Sequence, residues 1–224
     1  MKIYLDGADL DTLKAMEHRI DGVTTNPSLM RKAGIDNYKS FAAAVLMLTN
    51  KPVSFEVFAD DFATMESQAR EIASWGENVY VKIPVCLTDR SFTGSLVRKL
   101  SDDGIKLNIT AIMGVWQVAA LDQFLSWKTP TILSVFAGRI ADTGVDPMPT
   151  IAYAKMRYPR PNIEVLWAST REVYNVKQAE KAGADIITMT PDLIKKMDLF
   201  GKDLAEYSAE TVAMFYNDAK GITL

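Results

Sequence analysis

Short apolar segments alternate with helical patterns along the whole chain, and the alternation repeats eight times. Nearly continuous apolar runs of this length are typical of strands in a parallel sheet whose outer face is covered by helices. The segments predicted to be strands are residues 3–6, 22–25, 53–58, 79–83, 106–111, 131–136, 164–168 and 185–189. Between them, apolar residues recur at helical spacing, as Phe62, Met65, Ala69 and Ile72 do.

Eight strand–helix units nearly fill the 224 residues and leave no linker or second domain. Alternating strands and helices predict an α/β fold, and eight units favour a single closed (β/α)₈ barrel of the TIM type over 1–200. A doubly wound open sheet is the alternative. A ninth helix is predicted over 203–220, within a C-terminal segment, 201–224, expected to pack on the barrel or on a neighbouring subunit.

Charge and composition argue against several functions. A net charge of −3 is unlike that of proteins that bind nucleic acids or membrane surfaces. The chain has no run of about 18 apolar residues, as a membrane helix requires, and its single cysteine suits a reducing cytoplasm. One histidine argues against a histidine-ligated zinc site, and no nucleotide-binding glycine motif occurs. We therefore expect no metal, no cofactor, no nucleic-acid partner and a cytoplasmic location.

Polar residues gather late in the predicted strands. Because successive side chains of a strand point to opposite faces, Ser54 shares a face with Glu56, and Asn108 shares one with Thr110. In a barrel this polar face looks inward, at the end where barrel enzymes form their active sites. Taken alone, each of these residues is also explained as a polar residue that caps a strand end, or as a core polar group that is hydrogen-bonded within the protein. Together they predict an active-site rim: Asp6, Asn26, Glu56, Lys82, Asn108, Thr110, Ser134 and Ser169.

Lys82 is a lone cation in the apolar strand segment 79–83. Burying an ammonium is costly, and burial lowers the pKa of a lysine, leaving a free amine able to attack a carbonyl. The alternative is an edge-strand lysine whose amine reaches water.

Arg139 and Arg171 each lie just after a predicted strand. Arginine binds phosphate through its rigid fork of donors, and barrel enzymes often hold phosphate near their last strands. Rim ion pairs with Asp142 and Glu172 are the alternative. Taken with the amine of Lys82, the two arginines indicate a phosphorylated carbonyl substrate.

These motifs together resemble those of the transaldolases, in particular the compact subfamily that includes the fructose-6-phosphate aldolases. The resemblance is collinear over nearly the whole chain. It rests on LDGA at 5–8, DGVTTNPS at 21–28, VSFEV at 53–57, VKIP at 81–84, NIT at 108–110, SVFAGRI at 134–140 followed by Asp142, and ASTR at 168–171.

The resemblance implies a metal-free reaction through a Schiff base on Lys82. Asp6 then matches the acid–base residue for the C4 hydroxyl, and Glu56 and Thr110 match a pair that orders a water. The residues implied to bind substrate are Thr24, Asn26, Asn108, Ser134 and Phe136 around the donor, and Arg139, Ser169 and Arg171 around its phosphate.

Two positions separate transferase from aldolase within this family. The fructose-6-phosphate aldolases carry glutamine where this chain has Glu56 and tyrosine where it has Phe136. The resemblance therefore implies a transaldolase of the pentose phosphate pathway, moving a dihydroxyacetone unit from sedoheptulose 7-phosphate or fructose 6-phosphate to glyceraldehyde 3-phosphate or erythrose 4-phosphate. An aldolase that releases free dihydroxyacetone and a non-catalytic sugar-phosphate-binding barrel are the alternatives.

Compact members of this family form rings of five that pair into decamers, with the C-terminal helix reaching a neighbour. The resemblance thus implies a homo-oligomer, pentameric or decameric, with sugar phosphates as the only other partners.

Overall fold

The computed structural model describes residues 1–223, which form one closed barrel of eight parallel strands arranged in chain order. The strands are β1 (Lys2–Asp6), β2 (Gly22–Thr24), β3 (Val53–Glu56), β4 (Val79–Pro84), β5 (Leu107–Ile112), β6 (Thr131–Val135), β7 (Ile163–Trp167) and β8 (Ile186–Met189). Pairing of β8 with β1, with Lys2 opposite Ile186, closes the barrel.

Helices connect the strands and form the outer layer. They are α1 (Leu10–Met16), α2 (Pro27–Lys32), α3 (Tyr38–Leu48), α4 (Phe62–Ala73), α5 (Gly94–Asp102), α6 (Val115–Ala120), α7 (Ala137–Asp142), α8 (Met148–Arg157), α9 (Asn175–Ala182), α10 (Pro191–Lys196) and α11 (Leu204–Asp218). Short 3₁₀ helices cover Glu17–Arg19, Asp122–Phe124 and Met197–Leu199.

The predicted barrel is confirmed, and the open doubly wound sheet is excluded by the β1–β8 pairing. Each strand lies within two residues of its predicted bounds. The prediction succeeds because the strands are buried on both sides, so their apolar runs stand out from the amphipathic helices between them.

The outward faces of the strands carry the main hydrophobic core. Phe55 of β3, for example, is fully buried and meets the rings of Tyr38, Phe41 and Trp75 edge-on. Burying a side chain of this size contributes about 1.5–3 kcal/mol. The helices are thereby fixed on the barrel, and so are the loops that lead from strand to helix.

Inside the barrel, the end where the strands begin is closed by a separate apolar cluster. It contains Tyr4, Ile132, Leu166 and Ile186, all essentially inaccessible to solvent. Gly22 makes room for the Tyr4 ring, because a Cβ at this position would lie 2.5 Å from a ring carbon. Since this end is filled, a ligand can enter only where the strands end.

The C-terminal helix α11 begins at Leu204, close to the start of the predicted 203–220 helix, and none of its residues is buried in this chain. This helix lies within the C-terminal segment expected over 201–224, after the barrel domain expected over 1–200. Residue 224 lies outside the described residues. Among residues 1–223, no helix is both long enough and apolar enough to cross a lipid bilayer.

Candidate active site

A pocket opens at the end of the barrel where the strands terminate, and most of the predicted rim lines it. The predicted site residues that line it are Asp6, Thr24, Asn26, Lys82, Thr110, Ser134, Phe136, Arg139 and Ser169. Of the other three, Glu56 contacts Lys82, Asn108 contacts Ser134, and Arg171 lies outside the pocket lining.

Lys82 is buried, with 5% of its surface exposed, so it is not an edge-strand lysine that reaches water. Its Nζ lies 2.9 Å from Oε2 of Glu56 and donates to the carbonyl of Thr25 at 2.8 Å. Glu56 and Lys82 are direct partners in the β3–β4 register. An ammonium can stay in such a site because the carboxylate and the carbonyl replace its water.

Glu56 is fixed by Tyr38, which reaches it from α3. The backbone N–H of Glu56 donates to the Tyr38 hydroxyl at 2.7 Å, and this hydroxyl donates to the Glu56 carbonyl at 3.1 Å. The ring of Tyr38 packs between Phe58 and Trp75. The end of β3 is therefore anchored, and the carboxylate is held next to Lys82.

Asp6 ends β1 and accepts a hydrogen bond from the Thr24 hydroxyl at 2.9 Å. Burial raises the pKa of Asp6 above its ordinary value, and the charge of Glu56 adds to this; Lys82 and the Thr24 hydrogen bond oppose it. A carboxyl group with a raised pKa is suited to exchange a proton with a substrate near neutral pH.

Asn108 lies beneath the pocket, in a hydrogen-bonded row with two serines. Its Oδ1 accepts from the Ser134 hydroxyl at 2.7 Å, and its Nδ2 donates to Ser54 at 3.0 Å. Since Asn108 is fully buried, the row fixes the Ser134 hydroxyl, which does line the pocket.

Thr110 owes its position to an irregularity of β5. Ala111, the next residue, has φ of 61°, and the β5–β6 register shifts between Ile109 and Ile112. This left-handed conformation is unfavourable for alanine and is often found near functional sites. Among the described residues, nothing hydrogen-bonds the buried Thr110 hydroxyl, which leaves it available to a ligand or water.

The side chain of Asn26 has two roles. Its Oδ1 caps α2 by accepting from the backbone N–H of Leu29 at 3.0 Å, and the residue also lines the pocket. With that oxygen occupied, its amide N–H groups are what it can offer to a substrate hydroxyl.

The two arginines differ in their surroundings. Arg139 lines the pocket, and no carboxylate in residues 1–223 lies within 4.0 Å of its guanidinium. Arg171 instead forms the predicted alternative, a rim ion pair: its Nε lies 3.0 Å from Oδ1 of Asp142, and its guanidinium holds the pKa of that carboxyl below its usual range. Arg139 is therefore available to bind a phosphate. Arg171 would have to break its ion pair with Asp142, or contact Asp142 and the phosphate at the same time.

The first turn of α7, which carries Arg139, is interlocked by backbone contacts with the loop after β7, which carries Arg171. Gly138 approaches Ser169 so closely that a Cβ on Gly138 would lie 1.6 Å from the Ser169 carbonyl oxygen. The N–H of Gly138 also donates to the Ala168 carbonyl at 3.3 Å, and Ser169 has φ of 63°. Arg139 and Arg171 are thus held beside one another by a contact that only glycine permits.

The structure adds pocket residues that the sequence analysis did not single out. Leu166, Ala168 and Thr188 line the pocket, and Ser54 supports Asn108 from below. Strand alternation could have found Thr188, because it shares the inward face of β8 with Ile186.

Sequence comparison identifies relatives over nearly the whole chain. The profile of the family described as transaldolase/fructose-6-phosphate aldolase matches residues 3–223. A probable transaldolase of Methanococcus maripaludis (strain C5) is 35% identical over 223 residues, covering 94% of this chain and 99% of its own. A probable transaldolase of Nitrosopumilus maritimus is 34% identical over 203 residues, covering 88% of this chain and 87% of its own.

Solved structures show the same fold at low sequence identity. A 3-hexulose-6-phosphate synthase superposes with a TM-score of 0.60 at 15% identity, covering 85% of this chain and 90% of its own. An orotidine 5′-phosphate decarboxylase from Pyrococcus horikoshii also gives 0.60, at 16% identity, covering 87% of this chain and 96% of its own.

We predict that Gly138→Ala destabilises the protein and impairs phosphate binding. The added methyl group must displace a backbone carbonyl, so the free energy of unfolding should fall by about 1–3 kcal/mol or more. Chemical denaturation measures this change, and calorimetric titration with inorganic phosphate measures binding. Gly7→Ala is the control, since its Cβ would lie 3.9 Å from the nearest atom, a Leu5 side-chain carbon. Stability and phosphate affinity equal to those of the wild type would show that the first turn of α7 and the loop after β7 are not interlocked.

Proposed function

The chain belongs to the transaldolase/fructose-6-phosphate aldolase family, and we propose that it acts as a transaldolase through a Schiff base on Lys82. Its donor would be sedoheptulose 7-phosphate or fructose 6-phosphate, and its acceptor glyceraldehyde 3-phosphate or erythrose 4-phosphate. The observation that carries the proposal is the buried Lys82, which contacts a carboxylate on one side and lines a pocket with Asp6 and Arg139.

Schiff-base formation begins with a proton transfer. Lys82 must lose a proton before it can attack the C2 carbonyl, and Glu56, 2.9 Å away, is the base placed to take it. Glu56 then returns this proton to the hydroxyl of the carbinolamine, which leaves as water and yields a protonated imine. The Thr110 hydroxyl, which lines the pocket, would hold that water together with Glu56.

Cleavage uses the imine as an electron sink. Asp6 removes the proton of the C4 hydroxyl, the C3–C4 bond breaks, and its electron pair moves into the imine to give an enamine. The aldose phosphate leaves, and a three-carbon unit stays on Lys82. In the second half, the enamine attacks the aldehyde of the acceptor, Asp6 returns the proton to the new hydroxyl, and water hydrolyses the resulting imine to free the ketose phosphate and Lys82. Its raised pKa supports this double role.

The phosphate of donor and acceptor would be held where the first turn of α7 meets the loop after β7. Arg139, on α7, lines the pocket beside Ser169, and Arg171 follows in that loop. Binding a phosphate dianion there would compete with Asp142 for the guanidinium of Arg171. Charge-assisted contacts of this kind contribute roughly 1.5–3 kcal/mol each.

Phe136 supports transfer over release of free dihydroxyacetone. Hydrolysis of an imine by water ends both reactions, so release differs from transfer in one step: a water must protonate the enamine carbon before an acceptor arrives. The Phe136 ring lines the pocket, and it brings no hydrogen-bonding group that could hold a water there. The three-carbon unit is thereby protected until an acceptor arrives.

Product analysis tests this proposal directly. With fructose 6-phosphate and erythrose 4-phosphate, the wild type should form sedoheptulose 7-phosphate much faster than free dihydroxyacetone. Phe136→Tyr adds one hydroxyl at nearly constant volume, so it should raise release and lower transfer, since both consume the same enamine. Phe62→Tyr, on the exposed start of α4, is the matched control and should change neither rate.

Two outcomes would count against the transaldolase. Release as fast as transfer in the wild type would mean that the protein is an aldolase. Absence of both products, with fructose 6-phosphate still bound, would mean that it is a sugar-phosphate-binding barrel. The assignment to the pentose phosphate pathway and to the cytoplasm is part of the same proposal.

We also propose that the protein is a homo-oligomer, pentameric or decameric, assembled through α11. This helix leaves Leu204, Val212, Met214 and Phe215 exposed, an apolar surface that is costly to leave in water. Light scattering should give a mass of five or ten chains for the whole protein, and a smaller assembly for a chain ending at Gly201. A monomeric whole protein would contradict this assignment.

A further inference from the structure

Three inward-facing side chains from neighbouring strands form a row beside the pocket. Oγ1 of Thr24 on β2 lies 2.9 Å from Oδ1 of Asp6 on β1 and 2.5 Å from Oγ1 of Thr188 on β8. Both threonines are buried, with 3% and 4% of their surfaces exposed, and both line the pocket. The row runs across the seam where β8 closes onto β1.

The direction of these hydrogen bonds follows from counting protons. An ionised carboxylate can only accept, so Thr24 must use its single hydroxyl hydrogen to donate to Asp6. Thr24 then has no hydrogen left for its other neighbour, and the short contact requires Thr188 to donate to Thr24. As long as Asp6 is ionised, Thr188 therefore donates to Thr24, and Thr24 donates to Asp6.

We propose that Thr188 is a positioning residue that acts through Thr24 to hold Asp6 as a carboxylate oriented toward the substrate. The inference rests on the proposed function, in which Asp6 takes the proton of the C4 hydroxyl. Because Thr24 engages Oδ1, the oxygen left for the substrate is Oδ2.

The same row responds when Asp6 takes up a proton. Thr24 is then released from donating to the carboxylate and can turn its hydrogen toward Thr188. Thr188 in turn can direct its own hydrogen into the pocket it lines. Thr188 therefore offers the substrate an acceptor before bond cleavage and a donor after it, matching the exchange of the proton at Asp6.

The hydrogen bonds of this row act on the pKa of Asp6 together with two nearby charges. Lys82 from β4 stabilises the carboxylate, whereas Glu56 from β3 disfavours it. Cooperative polarisation strengthens each hydrogen bond in such a row by about 10–30%. Removing the Thr188 hydroxyl should weaken the Thr24–Asp6 bond without touching either charge.

Titration of the Asp6 carboxyl carbon by ¹³C NMR, without substrate, tests the proposal. Thr188→Val keeps the shape of the side chain and removes the donor, so the pKa of Asp6 should rise by about 0.3–0.6 unit. Thr188→Ser keeps the hydroxyl and should restore the wild-type value. Asp6→Asn identifies the signal, and Thr131→Val, which removes a buried hydroxyl on β6 bonded only to the Thr129 carbonyl, should cause no shift.

A double-mutant cycle separates positioning from a general loss of packing. Once Thr24→Val has broken the row, adding Thr188→Val should move the pKa of Asp6 no further. An equal shift with and without Thr24, or no shift in Thr188→Val, would overturn the proposal. Since no turnover is needed, the titration remains decisive even if the transfer assay fails. If transfer occurs, the acid limb of its pH profile should move by the same amount.

Discussion

Closure of eight parallel strands into a barrel forces each strand to present alternate side chains to the inside and to the helices. In this protein the outside carries the apolar core, and one inner end is filled by the cluster around Tyr4 and Leu166. At the other inner end the inward-facing side chains are mostly polar, and they line the pocket. Residues far apart in the chain, such as Asp6, Lys82 and Ser169, therefore share one pocket.

Charged groups lie close together at this site, and each has a different direct partner. The carboxylate of Glu56 lies 2.9 Å from Nζ of Lys82, so it is placed to take a proton from that amine in the reaction we propose. Asp6 instead accepts a hydrogen bond from the Thr24 hydroxyl, and burial raises its pKa. Two carboxylates at one site thus differ in environment, as the proposed mechanism requires, with its separate proton transfers at nitrogen and at oxygen.

The fold and most of the side chains that line the pocket could be predicted, because both follow from strand periodicity. The alternation of side chains along a strand places Phe55 on the outward face of β3 and Lys82 on the inward face of β4, where it lines the pocket. What depends on tertiary geometry could not be predicted. The bulge at Ala111, the bond between Thr188 and Thr24 and the ion pair of Arg171 with Asp142 arise from contacts between distant segments.

The most direct test of this account is to trap the covalent intermediate. Sodium borohydride added with fructose 6-phosphate should reduce the imine, and peptide mass spectrometry should find one dihydroxyacetone-derived unit on Lys82. Lys82→Met should remove the label, whereas Lys106→Met, which removes an exposed amine bonded to the Glu77 carbonyl, should retain it. A label on any other lysine, or no label on the wild type while transfer proceeds, would contradict the assignment of Lys82 as the nucleophile.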